Sequence, residues 1–168
     1  MTRPPTPSLP REIEADPDHE AIRARLAAPG RPLWPGGRVA VTVLALTPSL
    51  ASALGAAYRD GHLVLGFERA EDALAAEARG LALVARRVGT TAGARVSRLL
   101  LVSRDGAERL YRHVERLALE HAPRVLVAML STDAATLGRT TTGREAAVKV
   151  VLAQRKQAVA ALLRALTP

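Results

Sequence analysis

The sequence predicts a single α/β domain, a three-layer α/β/α sandwich with a mixed, mainly parallel sheet between two helical layers. Two observations predict this fold. From Arg38 onward, short β-branched and apolar runs alternate with segments of helical spacing, an order typical of parallel strands covered by helices. In addition, 168 residues suffice for one hydrophobic core but not for two domains of ordinary size.

Residues 1–36 are predicted to form a flexible, disordered arm. They contain eight of the eleven prolines, a density that breaks regular structure and favours an extended chain. A short helix over residues 18–28, with Ile22 and Leu26 as its apolar pair, needs a surface on which to dock. The α/β domain is therefore expected to span residues 37–168, and the arm is the expected place for a protein partner.

The elements of the domain follow from periodicity and from helix-start signals. Strands are predicted over residues 39–46, 62–67, 95–103, 124–130 and 146–153. Helices are predicted over residues 48–58, 68–79, 107–121, 132–138 and 157–166. Thr47 is a strong N-cap and Pro48 suits a first helical position, while Ser131 or Thr132 caps the short fourth helix. Gly80 leaves two possibilities open: residues 81–94 are an insertion, or part of one long helix.

The charge balance indicates an anionic partner. The chain has 24 Lys and Arg against 16 Asp and Glu, a net charge of +8, and residues 47–168 hold 18 basic residues against 11 acidic ones. Because 22 of the 24 basic residues are Arg, a GC-rich genome is an alternative explanation. Aromatic residues are too scarce for a protein that stacks single-stranded bases, so we expect contacts with phosphates and with RNA shape.

Composition also excludes several classes of site. The absence of Cys excludes disulfides, thiolate metal ligands and cysteine nucleophiles. His113 and His121 are eight residues apart, unlike the i, i+4 pair of a helical metal site, and we predict no metal and no other cofactor. Apolar runs end well before membrane-spanning length and no secretory pattern opens the chain. A cytoplasmic location without membrane contact is therefore expected.

A glycine-flanked segment, residues 136–145, has the most loop-like composition. Gly138 and Gly143 have the spacing of a phosphate-binding P-loop, but Arg144 and Glu145 stand where Lys and then Ser or Thr are required. Nucleotide hydrolysis is therefore not predicted. A flexible, hydroxyl-rich loop between two arginines is the remaining interpretation, and such a loop suits an RNA backbone.

Pairs of catalytic residue types occur without a third partner. Asp60 with His62 and Ser103 with Asp105 are better explained as turn and helix-cap residues, so we predict no enzyme.

One predicted helix carries a stripe of basic residues. Arg109, Arg112 and Arg116 alternate with Glu108 and Glu115, and this mixture indicates a solvated helix face.

Five segments in order carry a family resemblance. They are residues 54–68, residues 99–105, the helix that ends at Pro123, residues 137–139 and residues 146–148. Together they resemble the L-seven-Ae and L-thirty-e family of ribosomal and kink-turn RNA-binding proteins, in particular its bacterial YlxQ-type members. The resemblance covers residues 47–166 and implies an α/β/α sandwich. It also implies an RNA contact made by the helix opening after a glycine together with a late loop.

Carried over to this sequence, the resemblance implies two sets of RNA-contact residues. The helix opening comprises Gly66, Phe67, Glu68, Arg69 and Asp72. The late loop comprises Leu130, Ser131, Leu137, Gly138, Arg139, Thr140, Thr141, Thr142 and Arg144. Arg104, at the end of the second matching segment, belongs to the same predicted surface.

The chain departs from the family pattern at several places. Glu68-Arg69 replaces a frequent Asn-Glu pair, Asp72 stands at a basic position, the late loop is one residue longer, and about 14 residues around 81–94 are inserted. These departures bear on kink-turn specificity more than on the fold.

The leading hypothesis is a noncatalytic, ribosome-associated or RNA-binding protein that contacts structured RNA through backbone phosphates. A KH-like protein-interaction adaptor, with residues 63–85 as strand plus one long helix, is the first alternative. A small enzyme of unknown class is the second.

Overall fold

The computed structural model describes residues 7–89 and 93–167. Its strands are β1 Arg31–Pro32, β2 Ala40–Leu44, β3 Leu63–Leu65, β4 Arg98–Val102, β5 Val125–Leu130 and β6 Val150–Ala153. Its helices are α1 Arg11–Glu14, α2 His19–Leu26, α3 Pro48–Arg59, α4 Phe67–Val88, α5 Glu108–Glu120, α6 Ala134–Thr142 and α7 Lys156–Arg164.

The strands form one mixed sheet in the order β1-β2-β5-β4-β6-β3. The three adjacent strands β2, β5 and β4 are parallel, whereas β6 pairs antiparallel with both β4 and β3. β1 pairs antiparallel with β2 at the other end. We call the side where β4 and β5 begin the amino edge, and the side where they end the carboxyl edge.

A hydrophobic core covers each face of the sheet. On one face α1, α2, α3, α6 and α7 bury their apolar side chains against Leu99, Leu101 and Val151. On the other face α4 and α5 pack on Leu100, Val102 and Leu152. Because alternate residues of β4 point into different cores, its continuous run of leucines fits a strand covered on both sides. The predicted α/β/α sandwich with a mixed sheet is confirmed.

The flexible-arm prediction is wrong for residues 7–36. Leu9, Ile13 and Ile22 are fully buried in the first core, and Leu33 is 3% exposed in the second. The predicted short helix exists as α2, and its apolar pair Ile22 and Leu26 docks on the domain. Burial of these side chains offsets the entropy of ordering a proline-rich chain. Residues 1–6 lie outside the described part of the chain.

The helix-start signals of α3 are confirmed. Thr47 Oγ1 accepts a hydrogen bond from Leu50 N at 3.2 Å, and Pro48 is the first helical residue. The open question about Gly80 is also answered, since α4 runs without a break through Val88. Residues 81–88 therefore form its last two turns. Residues 90–92, which belong to the same predicted stretch, lie outside the described range.

One acidic residue of α5 is not on the solvated face that the sequence predicts. Glu115 is 6% exposed, and its Oε2 accepts hydrogen bonds from Arg38 N at 2.8 Å and Val39 N at 3.0 Å. This carboxylate fastens the segment before β2 to α5. By contrast Arg112 pairs with Glu108 at 2.6 Å, as its i, i+4 spacing predicts, and also lies over the Trp34 ring at 4.4 Å.

None of the helices in residues 7–89 and 93–167 has the length and apolar character needed to cross a membrane.

Candidate nucleic-acid interface

Backbone hydrogen bonds join four segments along the carboxyl edge. Gly66, which follows β3, donates to Val150 O at 2.8 Å, and Ser103 donates to Lys149 O at 2.9 Å. Arg104 donates to Thr132 O at 2.9 Å. The start of α4, the β4–α5 loop, the β5–α6 loop and the approach to β6 therefore lie side by side. This places Gly66 and Arg104, two of the predicted contact residues, on one surface.

Gly66 allows the chain to pass from β3 into α4 without a linker. Its backbone has φ +96° and ψ 148°, a region that residues with a side chain rarely adopt. Gly66 O accepts from Ala70 N at 3.1 Å, the first hydrogen bond of the helix. Within the described residues no side chain caps this helix start, so amide N–H groups of its first turn stay open to an anion.

The residues of the predicted helix opening divide into two groups. Phe67 is half-buried, packs against the second core, and lies 5.6 Å from the His113 ring between centroids, so it has a packing role. Glu68, Arg69 and Asp72 are exposed. Arg69 is the cation that this helix presents at the carboxyl edge.

The predicted late loop is a helix in the structure. Residues 137–142 lie in α6, which has Asp133 as its N-cap, not Ser131 or Thr132, and which ends at Gly143 with φ +74°. Leu137 is fully buried and Thr141 is 2% exposed, so their side chains cannot reach RNA. Three threonines between two glycines indicate a loop by propensity alone, but tertiary packing overrides that preference.

Gly138 has a structural role that its sequence context does not reveal. A Cβ built on this residue would lie 1.5 Å from Ala146 O, so the returning chain lies directly against the α6 backbone. The Thr142 hydroxyl donates to Gly138 O at 2.8 Å. Gly138 is therefore buried by packing and does not lie in an exposed loop, whereas Thr142 is half-buried.

Two arginines of the predicted loop stay exposed. Arg139 pairs with Glu145 at 3.0 Å, and the Arg144 guanidinium donates to the Tyr58 hydroxyl at 3.2 Å. Thr140 is half-buried beside α3, where its carbonyl lies near Gly55. Arg139 and Arg144 are therefore the charged side chains of the predicted loop that remain exposed.

Two carboxylates at this edge accept hydrogen bonds from backbone amides at the start of α6. Asp133 Oδ1 accepts from Thr136 N at 2.7 Å, and Asp105 Oδ1 accepts from Ala134 N at 2.9 Å. The pKa of Asp133 is lowered mainly by the Thr136 amide, then by the Thr136 hydroxyl, with smaller contributions from the charges of Arg104 and Arg139. Both arginines therefore lie close enough to Asp133 to interact with it.

Lys149 is a contact candidate that the sequence prediction missed. It is exposed immediately before β6, and its carbonyl bonds to Ser103 at the base of the β4–α5 loop. Arg69, Arg104 and Lys149 have no carboxylate within ion-pair distance among the described residues. The prediction missed it because Lys149 lies inside the strand predicted over residues 146–153, whereas the observed β6 begins at Val150.

The carboxyl edge has no surplus of cations. Its cations are Arg69, Arg104 and Lys149 and its carboxylates are Glu68, Asp72, Asp105 and Asp133, whereas Arg139 pairs with Glu145 along α6 and Arg144 lies beside Tyr58 at the end of α3. Because this edge has no excess of positive charge, affinity for a polyanion has to come from the positions of the cations that form no ion pair among the described residues.

The residues considered for catalysis do not form one cluster, because His62 and Asp105 lie at opposite edges of the sheet. His62 precedes β3 at the amino edge, where its carbonyl accepts from Gln154 N at 3.2 Å, whereas Asp105 follows β4 at the carboxyl edge. Within residues 7–89 and 93–167, no three His, Asp or Glu side chains lie close enough to hold a metal ion.

Tyr111 holds the β4–α5 loop in place. Its hydroxyl donates to Ser103 O at 2.7 Å and accepts from Gly106 N at 2.8 Å, on either side of Arg104 and Asp105. Burial raises the pKa of the Tyr111 phenol. The position of Arg104 on the candidate interface therefore depends on this buried hydroxyl.

We expect Tyr111→Phe to lower the free energy of unfolding by about 1–2 kcal/mol at neutral pH, because Ser103 O and Gly106 N lose their partner. Since the folded-state pKa is raised, the wild-type contribution is present below about pH 10 and is lost as the pH rises through the folded-state value. Urea denaturation of both proteins between pH 7 and 11 measures this. A constant difference across that range would contradict the assignment.

No protein-family model matches the chain, and no curated protein sequence matches it.

Proposed function

We propose that this chain is a noncatalytic RNA-binding protein, ribosome-associated or acting on another structured RNA, and that it contacts backbone phosphates through its carboxyl edge. One observation carries the proposal. Arg69, Arg104 and Lys149 stand on three different segments that backbone hydrogen bonds hold side by side, and none of them has a carboxylate partner among the described residues. Because the backbones of the three segments are held together, their cations lie on one surface, and none of them has to leave a carboxylate partner when a phosphate binds.

The uncapped start of α4 supports the same proposal. Amide N–H groups at a helix N-terminus favour a phosphate oxygen, and this start lies next to Val150, one residue beyond Lys149. Asp105 and Asp133 are turned to capping hydrogen bonds, which limits their repulsion of a phosphate chain. The contact set at the carboxyl edge becomes Arg69, Arg104 and Lys149, and Arg139 and Arg144 extend it along the side of α6.

The test is a fluorescence-anisotropy titration with a labelled RNA hairpin that contains an internal bulge. The triple variant Arg69→Ala, Arg104→Ala, Lys149→Ala is expected to bind at least about tenfold more weakly at low salt. The slope of log affinity against log salt should fall by about 2–3, since each lost phosphate contact contributes roughly 0.9. A folded triple variant with wild-type affinity, or a wild type without affinity at low salt, contradicts the proposal.

A matched control removes the same charge elsewhere. Arg25→Ala, Arg79→Ala, Arg86→Ala deletes three exposed arginines that form no ion pair among the described residues and lie on α2 and on α4 well beyond its first turn. This control variant should retain most of the RNA affinity. Equal loss in both variants would mean that net charge alone, and not this surface, determines binding.

A protein-interaction adaptor is the second candidate, favoured by the end of α4. Leu83, Val84 and Val88 are 54%, 55% and 65% exposed on a helix that continues directly from β3. Apolar side chains grouped in this way are typical of protein contacts. Capture of a partner protein that resists nuclease treatment, and that is abolished by Leu83→Glu, would support this candidate.

A further inference from the structure

A groove of about 750 Å³ opens at the amino edge. The candidate RNA surface lies at the opposite ends of the same strands. Its walls come from the start of α1, the middle of α4, the segment before β4 and the first turn of α7. Small-molecule sites typically occupy roughly 300–1,000 Å³, so the groove has the size of a ligand site.

Basic side chains dominate the polar wall of this groove. Five cations line it, namely Arg11, Arg95, Arg98, Arg124 and Lys156, against two carboxylates, Glu12 and Glu77. Glu12 lies 3.9 Å from Arg164, outside the groove. The groove therefore has a clear excess of positive charge, which the carboxyl edge lacks.

Two carboxylates around the groove, Glu77 and Glu14, are each shared by two guanidinium groups. Glu77 accepts from Arg98 Nε at 2.9 Å and also from Arg124. Glu14, behind the groove wall, pairs with Arg95 at 2.6 Å and with Arg23 at 2.9 Å. One carboxylate neutralises only one of its two arginines, so each trio keeps a net positive charge.

This residual charge is partly shielded from water. The Arg98 and Arg124 side chains are only 18% and 14% exposed. Removing a charge from water is unfavourable unless another group compensates it, and in a low-dielectric setting an added anion interacts more strongly than it does in solvent.

The first turn of α7 adds backbone donors to the same groove. Lys156 and Val159 of this nine-residue helix line it, and within the described residues no side chain caps the helix start. The amide N–H groups and the dipole of a helix start favour an anion. Beside them Leu81 and Ala94 form an apolar wall, with Val96 and Val159 buried behind it.

We propose that this groove binds a small phosphorylated molecule, with its phosphate groups among Arg11, Arg124 and Lys156 and its apolar part against Leu81 and Ala94. The excess of cations, their shared carboxylates and the helix start all favour phosphate, and the apolar wall favours an organic molecule over a free inorganic ion. This site is separate from the proposed RNA surface.

Isothermal titration calorimetry with ADP, pyrophosphate and adenosine tests the proposal. We expect the wild type to bind ADP and pyrophosphate, ADP more tightly, and to bind adenosine far more weakly. Arg11→Gln, Lys156→Gln removes two exposed cations that form no ion pair among the described residues, and it should weaken ADP at least about tenfold. The control Arg25→Gln, Arg109→Gln should leave ADP affinity unchanged.

A second variant changes affinity in the opposite direction. Glu77→Gln removes a groove carboxylate, so it should tighten pyrophosphate binding at a temperature where circular dichroism shows the variant folded. The RNA-surface variant Arg69→Ala, Arg104→Ala, Lys149→Ala should bind ADP like the wild type, which separates this proposal from the RNA proposal. Absence of ADP and pyrophosphate binding at millimolar concentration, or equal loss in the Arg25 and Arg109 control, would overturn it.

Discussion

Replacing Gly138 with alanine is expected to cost at least about 3 kcal/mol of folding free energy or to prevent folding, the largest single effect that we predict. The added methyl carbon would lie 1.5 Å from Ala146 O and 2.6 Å from its carbonyl carbon. Both are backbone atoms, so no rotation of a side chain relieves the overlap, and overpacking of a rigid site is strongly destabilising.

The surrounding structure prevents a simple shift of the chain. Val148 N donates to Ala134 O at 2.9 Å, and Leu137 is fully buried beside the glycine. Urea denaturation followed by circular dichroism measures the loss. Gly80→Ala is the matched control, since this exposed helical glycine has open space at its Cβ position and should gain up to about 1 kcal/mol. Wild-type stability in Gly138→Ala would contradict the close approach.

Glu115→Ala is expected to lower the free energy of unfolding by about 2–3 kcal/mol, the second largest effect. The change leaves the amides of Arg38 and Val39 without their acceptor in a part-buried place and removes packing beneath Gly37. The substitution should destabilise the segment before β2 more than it destabilises the rest of the domain. Hydrogen exchange at Arg38 and Val39 is therefore expected to accelerate more than exchange at the strand β4.

Two comparisons check that assignment. Glu108→Ala removes an exposed carboxylate from the same helix, and its pair with Arg112 should contribute no more than about 0.5 kcal/mol. Glu115→Gln keeps the shape of the side chain but loses its charge. Its loss of unfolding free energy should therefore lie between the losses of Glu108→Ala and Glu115→Ala. If Glu108→Ala and Glu115→Ala proved equally stable, Glu115 would have no anchoring role.

The central elements were predictable because their signals are local. The run of Leu99, Leu100 and Leu101 indicates a strand covered on both faces whatever lies around it, and Thr47-Pro48 indicates a helix start from two adjacent residues. The same local rule fails for the N-terminal segment. Leu9 and Ile13 stand among prolines without periodicity, and the core that buries them includes residues as distant in sequence as Leu163.

The candidate site was predictable only in part, for a related reason. Arg104 follows the strand predicted over residues 95–103, and the family resemblance implies a helix opening after Gly66, so the place of both residues at the carboxyl edge could be inferred. The helix over residues 137–142 could not, because the contact between Gly138 and Ala146 exists only after the chain returns. The amino-edge groove has no motif at all, since Arg11, Arg98, Arg124 and Lys156 come from four separate segments.

The outermost strands of the sheet have a bearing on self-association. β1 consists of Arg31 and Pro32 alone, and β3, at the opposite end, is three residues long. Proline has no N–H to offer a neighbouring backbone, and an arginine beside it repels a second copy of the same border. At high concentration the folded chain should therefore resist pairing of its outer strands with those of a second copy. We expect Pro32→Val, and not a substitution in the core, to promote fibrils that form from the native state.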